Sequence, residues 1–126
     1  MEFNNNRIIN KIQVPIVRIC NRKCPDCCAR YELTWFNKNL NKDFEISLEE
    51  LKRAGEMFGE LNEIEITGGE PTMHSQFEEL SNNLHNYFNC NNIILVSNGW
   101  LFEKDLSKLY LLLKYDPSYN QKDRKN

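Results

Sequence analysis

Short apolar runs alternate along this chain with segments spaced like amphipathic helices, and no other feature limits its fold as much. Residues 12–19 read I-Q-V-P-I-V-R-I, rich in β-branched side chains, and are expected to form a strand. Pro15 has no N–H to donate, which favours an edge position or the start of a ladder. Residues 47–61 carry the clearest helix. Ser47 and Glu50 make a capping-box pattern, and Leu48, Leu51, Ala54 (or Gly55) and Phe58 fall on one face. Residues 62–67 alternate, with Ile64 and Ile66 apolar, then break at Gly68 and Gly69, as a strand ending in a tight turn does. Helical spacing returns over 77–88 through Phe77, Leu80, Leu84 and Phe88. Residues 93–96 are wholly apolar, as in a buried parallel strand, and end at Ser97-Asn98-Gly99. A helix is expected near 103–108, and 109–114 reads either as a fourth strand or as an extension of that helix. The pattern predicts an α/β chain, either an open parallel sheet of three to four strands or a partial (β/α) barrel. In such folds ligands gather at the carboxyl ends of the strands, so the residues just beyond each strand are the first candidates for function.

At 126 residues the chain is expected to form one domain over 1–126, with a single modest core. The net charge is −2, and Lys and Arg are scattered, so nothing favours nucleic acid or an acidic membrane as a partner. Residues 121–126 form a polar tail expected to fray. No segment approaches ~18 uninterrupted apolar residues, the length needed to span a bilayer. The start, M-E-F-N-N-N-R, lacks the apolar core of a signal peptide. Five cysteines without an export signal predict reduced thiols and a metal site in the cytoplasm, not a disulfide framework.

Three of those cysteines, Cys20, Cys24 and Cys27, stand in the spacing C-x3-C-x2-C directly after the first strand, with Cys28 next to them. Thiolates are soft and anionic, and three close in sequence can converge on one metal centre. A [4Fe–4S] cluster needs four ligands, usually all cysteine, so this group would leave one iron open to something else. The alternative is a structural zinc site completed by Cys28 or Cys90. Zinc ribbons, however, usually show two well-separated C-x2-C pairs, and here there is one compact group. Cys28 and Cys90 are read as packed thiols. The aromatic-studded segment 29–45 is expected to help close the core or to shield the cysteine loop.

Beyond the cysteines, T-G-G-E-P at 67–71 and S-N-G at 97–99 each follow a predicted strand. With C-N-R-K-C-P-D-C, I-T-G-G-E-P-T-M-H and V-S-N-G in that order, the chain resembles the radical S-adenosylmethionine (radical SAM) enzymes from about Val14 onward. The resemblance implies that Cys20, Cys24 and Cys27 hold a [4Fe–4S] cluster and that S-adenosylmethionine chelates the remaining iron. It implies that Gly68, Gly69 and Glu70 bind the cofactor's amino group, and that Ser97 and Asn98 lie near its ribose and carboxylate. One-electron reduction would cleave the sulfonium to methionine and a 5′-deoxyadenosyl radical that abstracts hydrogen from a substrate. A reduced flavodoxin- or ferredoxin-type protein would supply the electron. His74 is read as a neighbour of the motif with no catalytic role.

The chain departs from the family pattern in two places. Asp26 stands where an aromatic residue usually precedes the third cysteine. The later strand–helix units of the family barrel have no counterpart, so the chain is expected to be a truncated first half. That makes two alternatives to a working enzyme: a cluster- and SAM-binding fragment that needs a partner chain, or a small zinc-stabilised binding module. An unpaired final strand would also favour self-association or a second polypeptide, with residues 110–113 the expected edge.

Overall fold

The computed structural model describes residues 9–27, 30–41 and 44–115. Cys28 and the tail 121–126 lie outside them. Strands β1 (Ile9–Pro15), β2 (Glu60–Thr67) and β3 (Asn89–Leu95) form one parallel sheet in the order β1-β2-β3. Helix α1 (Leu48–Phe58) precedes β2, α2 (Phe77–Tyr87) precedes β3, and the short α3 (Trp100–Lys104) follows it. The result is an open α/β sheet that does not close into a barrel. Among the described residues no helix is long and apolar enough to cross a membrane.

Register explains which residues are buried. Val14 pairs with Ile66 and Ile64 with Ile93, which puts these apolar side chains on one sheet face. There they pack with Leu51 of α1 and with Leu80 and Leu84 of α2, all fully buried. The opposite face carries Lys11, Gln13, Glu63 and Glu65, in register as Lys11 with Glu63 and Gln13 with Glu65. Lys11 Nζ lies 2.6 Å from Glu65 and 3.5 Å from Glu63, and Gln13 Nε2 donates to Glu65 at 2.9 Å. The apolar run 93–96 is therefore buried on one side only. Ile93 is in the core, whereas Ile94 and Val96 are 39% and 48% exposed. An all-apolar run reads as two-sided burial, but only one face here is covered by helices.

The boundaries of the elements have local causes. The Ser47 hydroxyl accepts the Glu50 amide at 3.1 Å and the Glu50 carboxylate accepts the Ser47 amide at 3.4 Å, so the capping box forms in both directions. α1 stops at Phe58, before residue 61, because Gly59 takes φ 64° and turns the chain into β2. β1 begins earlier and ends earlier than its apolar pattern predicts. After Pro15 the chain stays extended and hydrogen-bonded between two neighbours. Ile16 N–H donates to Thr67 O at 3.0 Å, Ile46 N–H donates to Ile16 O at 3.0 Å, and Val17 bridges Glu45 in antiparallel sense. Ile16 and Val17 are wholly buried there.

Residues 109–114 are not a fourth strand. They belong to a 3₁₀ helix, Leu106–Tyr115. Leu111 is buried with Phe77 and Phe102 in a second apolar cluster. Glu78 of α2 accepts Lys108 Nζ at 3.1 Å and the Tyr110 hydroxyl. Residues 110–113 therefore form no sheet edge, and among the described strands the outer edge on that side is β3.

Candidate functional site

The cysteine loop, the Gly68–Glu70 turn and the Ser97–Gly99 turn leave the carboxyl ends of β1, β2 and β3, and the sheet order makes them neighbours. The first two are linked backbone to backbone. Gly69 N–H donates to Val17 O at 3.1 Å and Glu70 N–H to Ile19 O at 2.8 Å, which carries the β1–β2 pairing on to the residue before Cys20. A Cβ on Gly69 would stand 1.9 Å from Ile19 O, so glycine is required for this approach. The closeness these glycines allow is thus used, in the described structure, by the chain's own backbone.

Glu70 is 1% exposed, yet its carboxylate is fully engaged. Oε1 accepts the Asn98 amide at 2.7 Å. Oε2 accepts the Ser97 hydroxyl at 2.8 Å, the Thr72 amide at 3.2 Å and the Thr72 hydroxyl. Four donors match the roughly four lone-pair positions of a carboxylate. Glu70 therefore ties the turn after β2 to the turn after β3. Sequence motifs read one by one do not show this link. Adjacent parallel strands could have suggested it, since their carboxyl ends lie side by side with complementary donors and acceptor.

Beyond β3, Gly99 takes φ 81°, Ser97 Oγ accepts the Gly99 amide at 3.0 Å and Asn98 Oδ1 accepts the Trp100 amide at 2.9 Å. These turn bonds start α3 at Trp100, ahead of the expected 103–108, because asparagine favours such local side-chain capping. Asn98 Nδ2 points back to the cysteine loop, donating to Asn21 Oδ1 at 2.9 Å and reaching Cys20 Sγ at 3.9 Å.

Cys20, Cys24, Cys27 and Cys90 are free thiols. Cys20 and Cys27 are half-buried and Cys24 is exposed, and the Cys27 amide donates to Cys24 O at 3.1 Å in a tight turn. Burial pushes the Cys20 thiol up. The Arg22 backbone amide opposes that rise, and negative charge at Glu70, Cys24 and Cys27 adds to it. Three soft donors that repel one another once ionised suit a shared cationic centre, which would reverse that repulsion. By donor chemistry the triad fits an iron–sulfur cluster, although among the described residues no three His, Cys, Asp or Glu side chains are gathered as a metal site. Cys90 is at the start of β3, away from the strands' carboxyl ends, with its thiol pushed up by burial.

His74 is buried and held at both ring nitrogens. Nδ1 accepts the Gln76 amide at 3.0 Å, which leaves Nε2 to donate to Ile46 O at 2.7 Å. That geometry assigns it to fastening the segment after Glu70 onto the segment before α1. Glu45 reinforces the seam, accepting the Ser75 amide and hydroxyl, each at 2.6 Å. Among the described residues of the aromatic-studded segment, only Leu33 is fully buried. Tyr31 and Phe36 are exposed and meet edge to face, 5.0 Å between centroids. A cleft of about 240 Å³ beside Gly68, walled by Arg18, Tyr31, Leu33 and Phe44, was not foreshadowed by any motif. Arg18 lies 4.6 Å over the Phe44 ring there.

Comparison with known proteins places the chain in a family. The model of the family described as the Radical SAM superfamily matches residues 14–119. A GTP 3′,8-cyclase from Helicobacter pylori is 32% identical over 99 residues, covering 79% of this chain and 30% of that protein. One from Helicobacter pylori strain HPAG1 is 33% identical over 106 residues, covering 82% and 32%. A GTP 3′,8-cyclase from Haemophilus ducreyi is 29% identical over 97 residues, covering 75% and 27%. The chain spans under a third of the length of these relatives.

Proposed function

The chain belongs to the radical SAM superfamily, and from that premise we propose that it holds a [4Fe–4S] cluster on Cys20, Cys24 and Cys27 and binds S-adenosylmethionine beside it. The observation that carries this reading is the placement of three free thiols at the carboxyl ends of parallel strands, next to the Gly68–Glu70 turn. When bound, the cluster would supply one electron to the sulfonium of S-adenosylmethionine, chemistry that would release methionine and a radical able to abstract hydrogen from a substrate.

The chain's own residues have separable tasks. The backbone bonds from Gly69 and Glu70 to Val17 and Ile19 fix the segment that leads from β1 to Cys20. Gly68 and Gly69, packed without side chains against the backbone of Val17 and Ile19, hold the turn beside the cofactor's amino end. Glu70, with its acceptor positions filled by Thr72, Ser97 and Asn98, acts as a positioning residue for the turn that meets the cofactor's ribose and carboxylate. The electron comes from a reduced flavodoxin- or ferredoxin-type protein, and the site lies in the cytoplasm.

A second reading is that these residues bind cluster and cofactor but need further polypeptide, a partner or a second copy, to act on a substrate. The open three-stranded sheet and the small share of the relatives that is covered favour it. Anaerobic reconstitution with iron and sulfide tests the core proposal. Four irons per chain are expected, lost in Cys20→Ala, Cys24→Ala and Cys27→Ala and kept in Cys28→Ala and Cys90→Ala, with unchanged melting of the metal-free chains. Stoichiometric zinc without iron uptake would overturn it. Methionine and 5′-deoxyadenosine released by the reduced chain alone would dismiss the second reading.

A further inference from the structure

Among the described residues Asn98 is the side chain of the β3 turn that reaches the cysteine loop, and its orientation is fixed by four contacts. Its own amide donates to Glu70 Oε1 at 2.7 Å, which sets the backbone. Oδ1 accepts the first amide of α3, that of Trp100, at 2.9 Å. Since that partner can only donate, the carboxamide oxygen must face α3 and the NH₂ must face the cysteines. Nδ2 carries two hydrogens and finds two acceptors, Asn21 Oδ1 at 2.9 Å and Cys20 Sγ at 3.9 Å, a reach that the size of sulfur allows.

We infer that Asn98 is a positioning residue for Cys20, pinning the loop through Asn21 and donating an N–H to the Cys20 sulfur, and that this contact raises the reduction potential of a cluster held there. The inference rests on the proposed role of Cys20 as an iron ligand. Adding an electron increases negative charge on the ligand sulfurs, so an N–H aimed at one of them stabilises the reduced state more than the oxidised state. The half-buried setting of Cys20 screens that contact less than bulk water would. Asn21 as second acceptor keeps the NH₂ from rotating away, because the other end of the amide is already held by α3.

The test is a redox titration of the reconstituted full chain, followed by the paramagnetic signal of the reduced cluster, with iron and sulfide counted alongside. Asn98→Asp keeps the acceptor for Trp100 but turns an oxygen toward Cys20. It should retain the cluster and shift the reduction equilibrium about tenfold toward the oxidised form, equivalent to about 59 mV for one electron. Asn98→Ala removes the donor without adding charge and should shift it the same way by about threefold, the scale of one lost hydrogen bond. Asn21→Asp adds charge nearby while keeping an acceptor for Nδ2, so its shift should be smaller than that of Asn98→Asp. Unchanged potentials in both Asn98 variants would overturn the inference. So would equal shifts in the two Asp variants with none in Asn98→Ala, since charge alone would then suffice. If Asn98→Ala does not fold, the difference between the two Asp variants decides. A wild-type chain that takes up no four-iron cluster would defeat the cluster reading itself, a result distinct from a cluster whose potential ignores Asn98.

Discussion

At the carboxyl ends of one sheet, Glu70 and the cysteine loop meet their polar demands in opposite ways. Glu70 is enclosed, and four donors from Thr72, Ser97 and Asn98 fill its carboxylate. Cys20, Cys24 and Cys27 are free, half-buried to exposed, and among the described residues the donors that reach their sulfurs are the Arg22 amide and the Asn98 side chain, both at Cys20. The first arrangement has its acceptor positions filled by the chain; the second has coordinating capacity that the proposed cluster would use. The two meet at Ile19 and Cys20, where Gly69 and Glu70 grip the strand that delivers the first cysteine.

The sharpest way to break the comparison is at that grip. Gly69→Ala places a methyl 1.9 Å from Ile19 O, a collision with backbone that no side-chain rotation relieves. The cost should be about 3 kcal/mol, the upper range for overpacking, read by urea unfolding of the metal-free chain. A loss under about 0.5 kcal/mol, the level of an ordinary surface change, would mean that the cysteine loop is not held by this turn.

A smaller loss is expected from Glu70→Gln, which keeps the shape but replaces one acceptor oxygen with an NH₂. Every partner of the carboxylate in this network is a donor, so at least one buried N–H or O–H is left facing another donor. The penalty should be about 2 kcal/mol, within the range for a buried unsatisfied group. Iron uptake should persist, because Glu70 is not among the proposed ligands. Loss of iron with full stability would reverse the assignment of the two arrangements.

How much of this was legible beforehand depended on how local the cause was. The capping box at Ser47 and Glu50 involves one turn of chain, and it forms as read. The α/β order and the placement of the motifs after strands follow from periodicity, and both hold. Three things needed tertiary information. Residues 109–114 carry apolar side chains that suit a strand, but Leu111 finds Phe77 and Phe102, and the segment coils into a 3₁₀ helix. Residues 93–96 look buried on both faces, yet the helices cover only one. The link from Glu70 to Ser97 and Asn98 joins residues 27 and 28 positions apart, and no short motif can display it.

Glu45 sharpens the comparison from the other side, for it repeats part of the Glu70 arrangement at the surface. It too accepts a serine hydroxyl and a backbone amide, both from Ser75, but it is only half-buried. Burial pushes its carboxyl up, and the Ser75 hydroxyl and amide, helped by His74, outweigh that and hold it below the ordinary value. A carboxyl depressed in the folded state contributes stability above its unfolded value, roughly 4.3 for glutamate, and the contribution fades as pH falls through the folded value. Ser75→Ala removes the hydroxyl and leaves the amide. It should cost about 0.5 kcal/mol near neutrality, the low end for a hydrogen bond because solvent competes there. That difference between variant and wild type should vanish in acid, below the ordinary carboxylate range, and urea unfolding at a series of pH values checks it. A difference that stays constant down through that range would show that the hydroxyl acts by packing and not through the ionised carboxylate. A cost as large as that of Glu70→Gln would show that burial does not separate the two carboxylates.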